Sequence, residues 1–148
     1  MDRQKALYTD EKDGAMQAQR ISIAQTCLNA AYDKTMAFPD IVGTLIKAGF
    51  EGYFVDYRRN ATTYFLLDGE SVVLENRPSD GVIAAQFDGA GVSAQVKWAQ
   101  TNPPGYSYAA FCKNVKASGC AGYIVSFSGR RVLYFGRTAE THVEHFPQ

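Results

Sequence analysis

The sequence has no excess of charge of either sign. Its 148 residues contain 15 Lys and Arg against 15 Asp and Glu, so the formal net charge is zero. A chain without net charge lacks the overall field that draws proteins to nucleic acid or to an anionic membrane. We therefore expect neither nucleic acid nor a membrane among its partners.

Long apolar runs are also missing. No stretch approaches the roughly 18 apolar residues that a membrane-spanning helix needs. The first 14 residues, MDRQKALYTDEKDG, mix both charge signs and contain no apolar run, which argues against an ordinary secretory signal peptide. These features predict a cytoplasmic protein with a flexible N-terminal segment at residues 1–14.

Cysteine and histidine are scarce and lack the spacing of metal ligands. Cys27, Cys112 and Cys120 form no CxxC or zinc pattern, which predicts reduced thiols. His142 and His145 flank Glu144 but do not form HExxH, and a strand would point the two rings to opposite faces. We expect no metal site and no cofactor.

Motifs of common enzyme classes are absent too. There is no GxSxG, no P-loop and no GxGxxG after a predicted strand. No catalytic residue can be assigned from a motif, and the balance favours a protein that is not an enzyme.

The strongest positive feature is an internal repeat. Residues 49–73 return 70 positions later as residues 119–143, without a gap and with eight identities in 25 positions. Chance alone would give roughly one or two. The identical pairs are Gly49/Gly119, Gly52/Gly122, Tyr53/Tyr123, Val55/Val125, Tyr64/Tyr134, Phe65/Phe135, Glu70/Glu140 and Val73/Val143. The repeat predicts two similar halves, residues 15–75 and 82–146, that share one core within a single domain spanning residues 1–148.

The first half reads as two helices followed by an antiparallel meander. Apolar residues at three- and four-residue spacing predict a helix from Ala15 to about Ala31. Pro39 suits the start of a second helix, and Gly49 suits its end. Period-two alternation over residues 53–58 and the hairpin signal Asp68-Gly69 then predict strands.

The second half follows the same plan after a linker at residues 76–81. Asp88 is the predicted cap of a helix over residues 89–100, and Gly119 is the predicted end of the next helix. Strands are expected at about residues 122–127, 130–135 and 140–145. The predicted fold class is α+β, with helices packed on an antiparallel sheet.

Aromatic side chains mark one face of the predicted sheet. Tyr53, Tyr57 and Tyr64 share that face if Val55 pairs with Tyr64. The second half carries Tyr123, Phe127 and Tyr134 on the same face. Cross-strand rings usually pack a core, which is the favoured interpretation, and a ring-lined ligand pocket is the alternative.

Asp56, Tyr57 and Arg58 are the candidate ligand-binding residues. They have an acid, a phenol and a guanidinium where the second copy has Ser126, Phe127 and Ser128. Alternation also places Asp56 in a semi-apolar setting, which is typical of functional carboxyl groups. Solvent-facing charge on an edge strand accounts for the same pattern without any function.

Ten short motifs resemble the YbcV-like family of bacterial and prophage proteins of unknown function. In the first half they are Phe38-Pro39, Lys47-Ala48-Gly49, Gly52-Tyr53, Val55-Asp56-Tyr57, Thr62-Thr63-Tyr64 and Asp68-Gly69-Glu70. In the second half they are Gly122-Tyr123, Arg130-Arg131-Val132, Tyr134-Phe135-Gly136 and His142-Val143-Glu144. The resemblance covers about residues 17–147. It implies a bacterial or prophage origin, with the family label "phage envelope protein", and supplies no catalytic residues.

These observations lead to one favoured function and two alternatives. The favoured function is a non-enzymatic module that binds a small molecule or another protein, including a second copy of the chain. The first alternative is a small enzyme that uses Asp56 with a neighbouring Tyr or Arg. The second is a phage structural protein.

Overall fold

Four helices pack on one face of a six-stranded antiparallel sheet within residues 3–147. The computed structural model describes the backbone of these residues and the side chains of residues 14–147. The helices are α1 (Arg3–Asp33), α2 (Phe38–Lys47), α3 (Gly89–Thr101) and α4 (Tyr108–Ala117). The strands are β1 (Phe50–Asp56), β2 (Ala61–Leu66), β3 (Ser71–Glu75), β4 (Cys120–Ser126), β5 (Arg131–Gly136) and β6 (Thr141–His145). The predicted α+β class is confirmed.

Helix α1 is longer than the sequence analysis expects. It begins at Arg3, well before the predicted start at Ala15. Seven of residues 3–14 are Arg, Gln, Lys, Ala, Leu or Glu, which are good helix formers, so the backbone can stay helical without an apolar stripe. The flexibility of residues 1–14 stays a prediction, and residues 1 and 2 lie outside the described part of the chain. No helix in that part is long and apolar enough to cross a membrane.

The remaining helices start where the sequence supplies starting signals. Pro39 lies in the first turn of α2, where its missing N–H costs no helical hydrogen bond. Asp88 caps α3, since its carboxylate accepts a 3.1 Å hydrogen bond from the Gly91 N–H. Ser107 caps α4 in the same way through the Ala110 N–H, also at 3.1 Å. The predicted cap at Asp88 is confirmed.

Strands β1 and β4 pair antiparallel at the centre of the sheet, whose order is β3-β2-β1-β4-β5-β6. Within the first hairpin, Tyr53 pairs with Tyr64 and Val55 pairs with Thr62, so the assumed pairing of Val55 with Tyr64 is wrong. The turn at residues 57–60, with Asn60 at φ 54°, sets this register. A shift of two residues keeps each side chain on its predicted face.

Side chains on the helix-covered face form two rows across all six strands. The first row is Val72, Tyr64, Tyr53, Val125, Val132 and Glu144. The second is Leu74, Thr62, Val55, Tyr123, Tyr134 and His142. Their buried apolar members join helix residues in one hydrophobic cluster, which is the core.

The opposite face of the sheet has an apolar row of its own. In register across the strands it reads Val73, Thr63, Phe54, Ile124, Leu133 and Val143. Val73 is 64% exposed and Ile124 is 43% exposed. No described helix covers this row.

Candidate functional site

A cavity of about 690 Å³ lies between the four helices and the centre of the sheet. Its sheet side includes Tyr53, Tyr64, Tyr123 and Tyr134 with the aliphatic side chains between them. Its helix side includes Leu28 from α1, Ile41 from α2, Val96 and Ala99 from α3, and Phe111 from α4. Ligand pockets in proteins typically occupy about 300–1,000 Å³ and are lined mainly by apolar and aromatic groups. The cavity has both properties.

On the sheet side of the wall, three tyrosine hydroxyls have no hydrogen-bond partner among the described residues. The hydroxyl of Tyr123 shares a 2.6 Å hydrogen bond with that of Tyr108. Those of Tyr53, Tyr64 and Tyr134 make no hydrogen bond to a described residue. In the described part of the chain, Tyr57 Oη is the only unpaired side-chain polar atom that is fully enclosed by protein. The hydroxyls of Tyr53, Tyr64 and Tyr134 are not fully enclosed. The three hydroxyls are therefore open to the cavity.

Burial keeps these phenols neutral. It raises the pKa of Tyr64, Tyr123 and Tyr134 well above the usual value of 10, and it raises the pKa of Tyr106 to about 12. A neutral phenol offers one O–H donor, an oxygen acceptor and a ring face with negative potential. The cavity wall therefore provides hydrogen-bonding and aromatic surface.

At one edge of the cavity, Glu144, Ser93 and His142 form a hydrogen-bonded polar group. Glu144 lines the cavity from β6, and its Oε1 accepts a 3.2 Å hydrogen bond from Ser93 Oγ on α3. The same oxygen lies 2.8 Å from His142 Nε2, which donates because a carboxylate can only accept. Both His142 and Glu144 are about three-quarters buried, with side-chain exposures of 27% and 25%. Glu144 is thus held in place from two sides.

The first half has apolar residues at the corresponding positions. Seventy residues before Glu144, His142 and Ser93 stand Leu74, Val72 and Ile23. Packing against the helices is satisfied there without any polar group, and Val72 and Leu74 belong to the core. The polar group therefore distinguishes one edge of the cavity from the other.

The cavity opens toward the α1–α2 connection and the residues that follow β6. Lys34 Nζ lies at this mouth, donates a 3.0 Å hydrogen bond to the Tyr106 carbonyl and sits 5.7 Å from the Tyr106 ring centroid. Phe38 and Phe146 meet edge to face across it, with ring centroids 5.5 Å apart. Lys34 is the only Lys or Arg among the described residues that line the cavity.

The candidate residues Asp56, Tyr57 and Arg58 lie at the β1–β2 turn, and none of them lines the cavity. Asp56 Oδ1 accepts hydrogen bonds from the backbone N–H groups of Arg58 at 3.0 Å and Arg59 at 3.3 Å. These contacts fix the turn, as Asp side chains often do. The Arg58 side chain is exposed.

Tyr57 points away from Asp56, into the protein. It is 8% exposed, and its hydroxyl is fully buried with no hydrogen-bond partner among the described residues. The Cys112 thiol and the Tyr123 ring are close by. Tyr57 is therefore separated from Asp56 and Arg58 by the sheet.

The aromatic face combines the two interpretations that its pattern allows. Tyr53, Tyr64, Tyr123 and Tyr134 are buried core residues and also line the cavity. The Glu144 group was missed, because the sequence analysis treated it only as a metal motif. The sequence feature that could have revealed it is the two-residue spacing of His142 and Glu144, which puts both on the same face of a strand. Among the described residues, no three His, Cys, Asp or Glu side chains lie together as metal ligands.

No protein-family model matches the chain, and no curated protein is significantly similar to it. The cavity geometry therefore carries the functional argument.

Proposed function

We propose that this protein is a non-enzymatic binding module that holds a small, mostly apolar molecule in the tyrosine-lined cavity. The observation that carries the proposal is a cavity of about 690 Å³ onto which the unpaired hydroxyls of Tyr53, Tyr64 and Tyr134 open. Polar groups of a ligand can hydrogen-bond to these hydroxyls. Apolar walls supply the remaining affinity.

The phenols and the thiol of the lining do not favour catalysis. Its phenols have raised pKa values, so they are poor proton acceptors at neutral pH. Its only thiol, Cys27, also has a pKa raised by burial, which disfavours the nucleophilic thiolate. These properties suit retention of a ligand rather than its conversion.

The test is binding of N-phenyl-1-naphthylamine, a neutral apolar dye whose fluorescence increases in apolar sites shielded from water. We expect saturable fluorescence with the wild-type protein. Ala99→Phe places a ring into the cavity from α3 and should reduce dye affinity about tenfold or more, because it removes both volume and apolar contact.

The matched control is Ala94→Phe. Ala94 is on the same helix but exposed and outside the cavity lining, so the dye should bind this variant as it binds the wild type. Equal dye binding by Ala99→Phe and Ala94→Phe would show that the cavity is not the site. Circular dichroism and thermal unfolding of both variants establish that they are folded.

A second candidate function is self-association through the outward face of the sheet. The specific observation is the apolar row through Phe54 and Ile124, which crosses six strands without a charged side chain. Exposed apolar surface of this extent commonly marks a protein interface. We propose a second copy of this chain as the partner.

We also infer that the halves are a structural repeat sharing one core. Helix α4 and strands β4, β5 and β6 begin 70 residues after α2, β1, β2 and β3, and they have matching lengths. Positive φ recurs at Asn60 and Arg130, and the register shifts at Phe50/Gly52 and Cys120/Gly122 correspond. These coincidences support duplication.

Three further predictions from the sequence stay hypotheses. One is a small enzyme that uses Asp56 with Tyr57 or Arg58. A phage structural role is another, and membership of the YbcV-like family, with a prophage origin and a cytoplasmic location, is the third. Support for the Asp56 enzyme would need a substrate that contacts the β1–β2 turn, where Asp56 already binds two backbone N–H groups.

A further inference from the structure

Glu144 is the only carboxylate on the two inward rows of the sheet. Its Oε1 accepts from Ser93 and His142, whereas its Oε2 makes no hydrogen bond to a described residue. A carboxylate beside an apolar cavity is costly unless its charge is compensated. Leu74, at the corresponding position of the first half, shows that packing does not require an acid there.

The aromatic wall also favours a positively charged ligand. The faces of tyrosine and phenylalanine rings attract cations, particularly in sites shielded from water. Tyr134 lies next to the polar group, with its ring centroid 6.4 Å from that of His142. Tyr123 continues the aromatic surface, at 5.2 Å from Tyr134.

No described Lys or Arg side chain pairs with Glu144, whose hydrogen-bond partners are Ser93 and His142. Lys34, the only described Lys or Arg on the lining, lies at the mouth and donates to the Tyr106 carbonyl. The other acidic residue on the lining is Asp40, in the first turn of α2. An anionic ligand would meet two carboxylates, the imidazole of His145 and a single lysine that is already hydrogen-bonded.

We propose that the cavity binds an organic cation, with an apolar body against the tyrosines and a protonated or quaternary amine against Glu144. This inference rests on the proposed function and specifies its ligand class. Ser93 and His142 are positioning residues, because their hydrogen bonds to Oε1 hold the carboxylate at the cavity edge and leave Oε2 for the ligand.

The experiment compares three probes that share a phenylpropyl body. They are 3-phenylpropyl-trimethylammonium, 3-phenylpropan-1-ol and 4-phenylbutyrate, measured by calorimetry against the full chain. We expect the cation to bind about tenfold more tightly than the alcohol, and the carboxylate to bind most weakly. Raising the salt concentration should narrow the difference.

Glu144→Gln tests the assigned residue. The glutamine side chain retains an oxygen that can accept from Ser93, so the shape of the cavity is preserved while the charge is removed. The preference for the cation over the alcohol should fall from about tenfold to near unity. The control is Glu75→Gln, which removes an exposed carboxylate from the outward face and should leave the preference intact.

The outcomes separate this inference from the proposed function. Equal affinity for all three probes, abolished by Ala99→Phe, would overturn the cation assignment while supporting the cavity as a binding site. A cation preference that survives Glu144→Gln would overturn the role of Glu144. If the naphthylamine dye binds in the cavity and none of the three probes does, the cation assignment also fails. If neither the dye nor the probes bind, the proposed function fails with it.

Discussion

The hydroxyl groups of Tyr108 and Tyr123 lie 2.6 Å apart and join helix α4 to strand β4 at the wall of the cavity. Tyr108 also stacks on Phe111, with ring centroids 6.0 Å apart. The Tyr123 ring also meets Phe111, with ring centroids 6.4 Å apart, so both phenol rings have apolar contacts that do not depend on the hydrogen bond. This arrangement allows the contribution of the hydrogen bond to be measured alone.

Tyr108→Phe should lower the free energy of unfolding by about 1–2 kcal/mol, because it removes the bond and leaves the Tyr123 hydroxyl without its partner. Urea unfolding provides the measurement. The double variant with Tyr123→Phe should cost less than the sum of the two single variants, since the second change removes an already unpaired group. Additive costs would mean that the two hydroxyls do not interact in solution.

Tyr57→Phe should have the opposite effect. The Tyr57 hydroxyl is buried beside the Cys112 thiol, a weak hydrogen-bonding group, and has no other partner among the described residues, so its removal relieves a desolvation cost. We expect the free energy of unfolding to rise by up to about 1 kcal/mol. A loss as large as that of Tyr108→Phe in the same urea experiment would show that the Tyr57 hydroxyl is paired.

Two glycines at corresponding positions separate backbone strain from steric clash. Gly49 and Gly119 have φ angles of 94° and 88°, which strain any residue with a side chain. A Cβ at Gly49 would meet nothing within 4 Å, whereas at Gly119 it would collide with the Gln86 carbonyl and the Phe87 backbone. Each glycine ends a helix, as its sequence position predicts.

Gly49→Ala should therefore cost about 1 kcal/mol of unfolding free energy, and Gly119→Ala about 3 kcal/mol or more. Thermal and urea unfolding of the pair give the comparison, in which each variant controls for the other. Equal costs would show that residues 86 and 87 move aside without penalty.

Local features of the chain are what made much of the fold predictable. The strand alternation around Tyr53 and the cap at Asp88 depend on neighbours within a few residues, so the sequence pattern contains them. The pairing register was wrong by two residues, because it depends on turn geometry at Asn60. This error did not change the face to which any side chain points, since side chains alternate between the faces of a strand with a period of two residues.

The candidate site depends on long-range packing and was less predictable. Ser93 and Glu144 are 51 residues apart in sequence, and only the packing of α3 on β6 brings them together. Asp56 attracted interest because its counterpart in the second half differs. The same comparison applied to Glu144 and Leu74 would have found the polar edge of the cavity.

Alkaline pH should destabilise the protein. Burial raises the pKa of Tyr53, Tyr64 and Tyr134 above the value of about 10 that they have in the unfolded chain. Above pH 10 the unfolded state loses these protons while the folded state keeps them, so stability is full below pH 10 and falls as pH rises. The pKa of the Cys120 thiol, raised to about 12, contributes in the same direction from about pH 9.

The measurement is urea unfolding between pH 8 and pH 11. Tyr134→Phe removes one of these phenols and should make the decline above pH 10 shallower by up to about 1.4 kcal/mol per pH unit. Stability that stays constant to pH 11 would contradict the burial of the tyrosines.

We expect the protein to form a weak dimer through the outward face of the sheet. Six strands at about 4.8 Å spacing, each covered over about 17 Å, form a surface of several hundred Å². That area per copy is near the lower limit of specific protein interfaces, so the dimer should be weak, with a dissociation constant of roughly micromolar. Sedimentation equilibrium over a wide concentration range should show reversible dimerisation of the wild type.

Ile124→Lys places a charge at the centre of the row and should abolish the dimer, because burying an ammonium against the apolar row of a second copy costs its hydration. Ile46→Lys is the matched control. Ile46 is 51% exposed on helix α2, against 43% for Ile124, but lies on the helical side of the molecule. A wild type that stays monomeric at millimolar concentration would exclude this interface, and loss of the dimer in both variants would place it elsewhere.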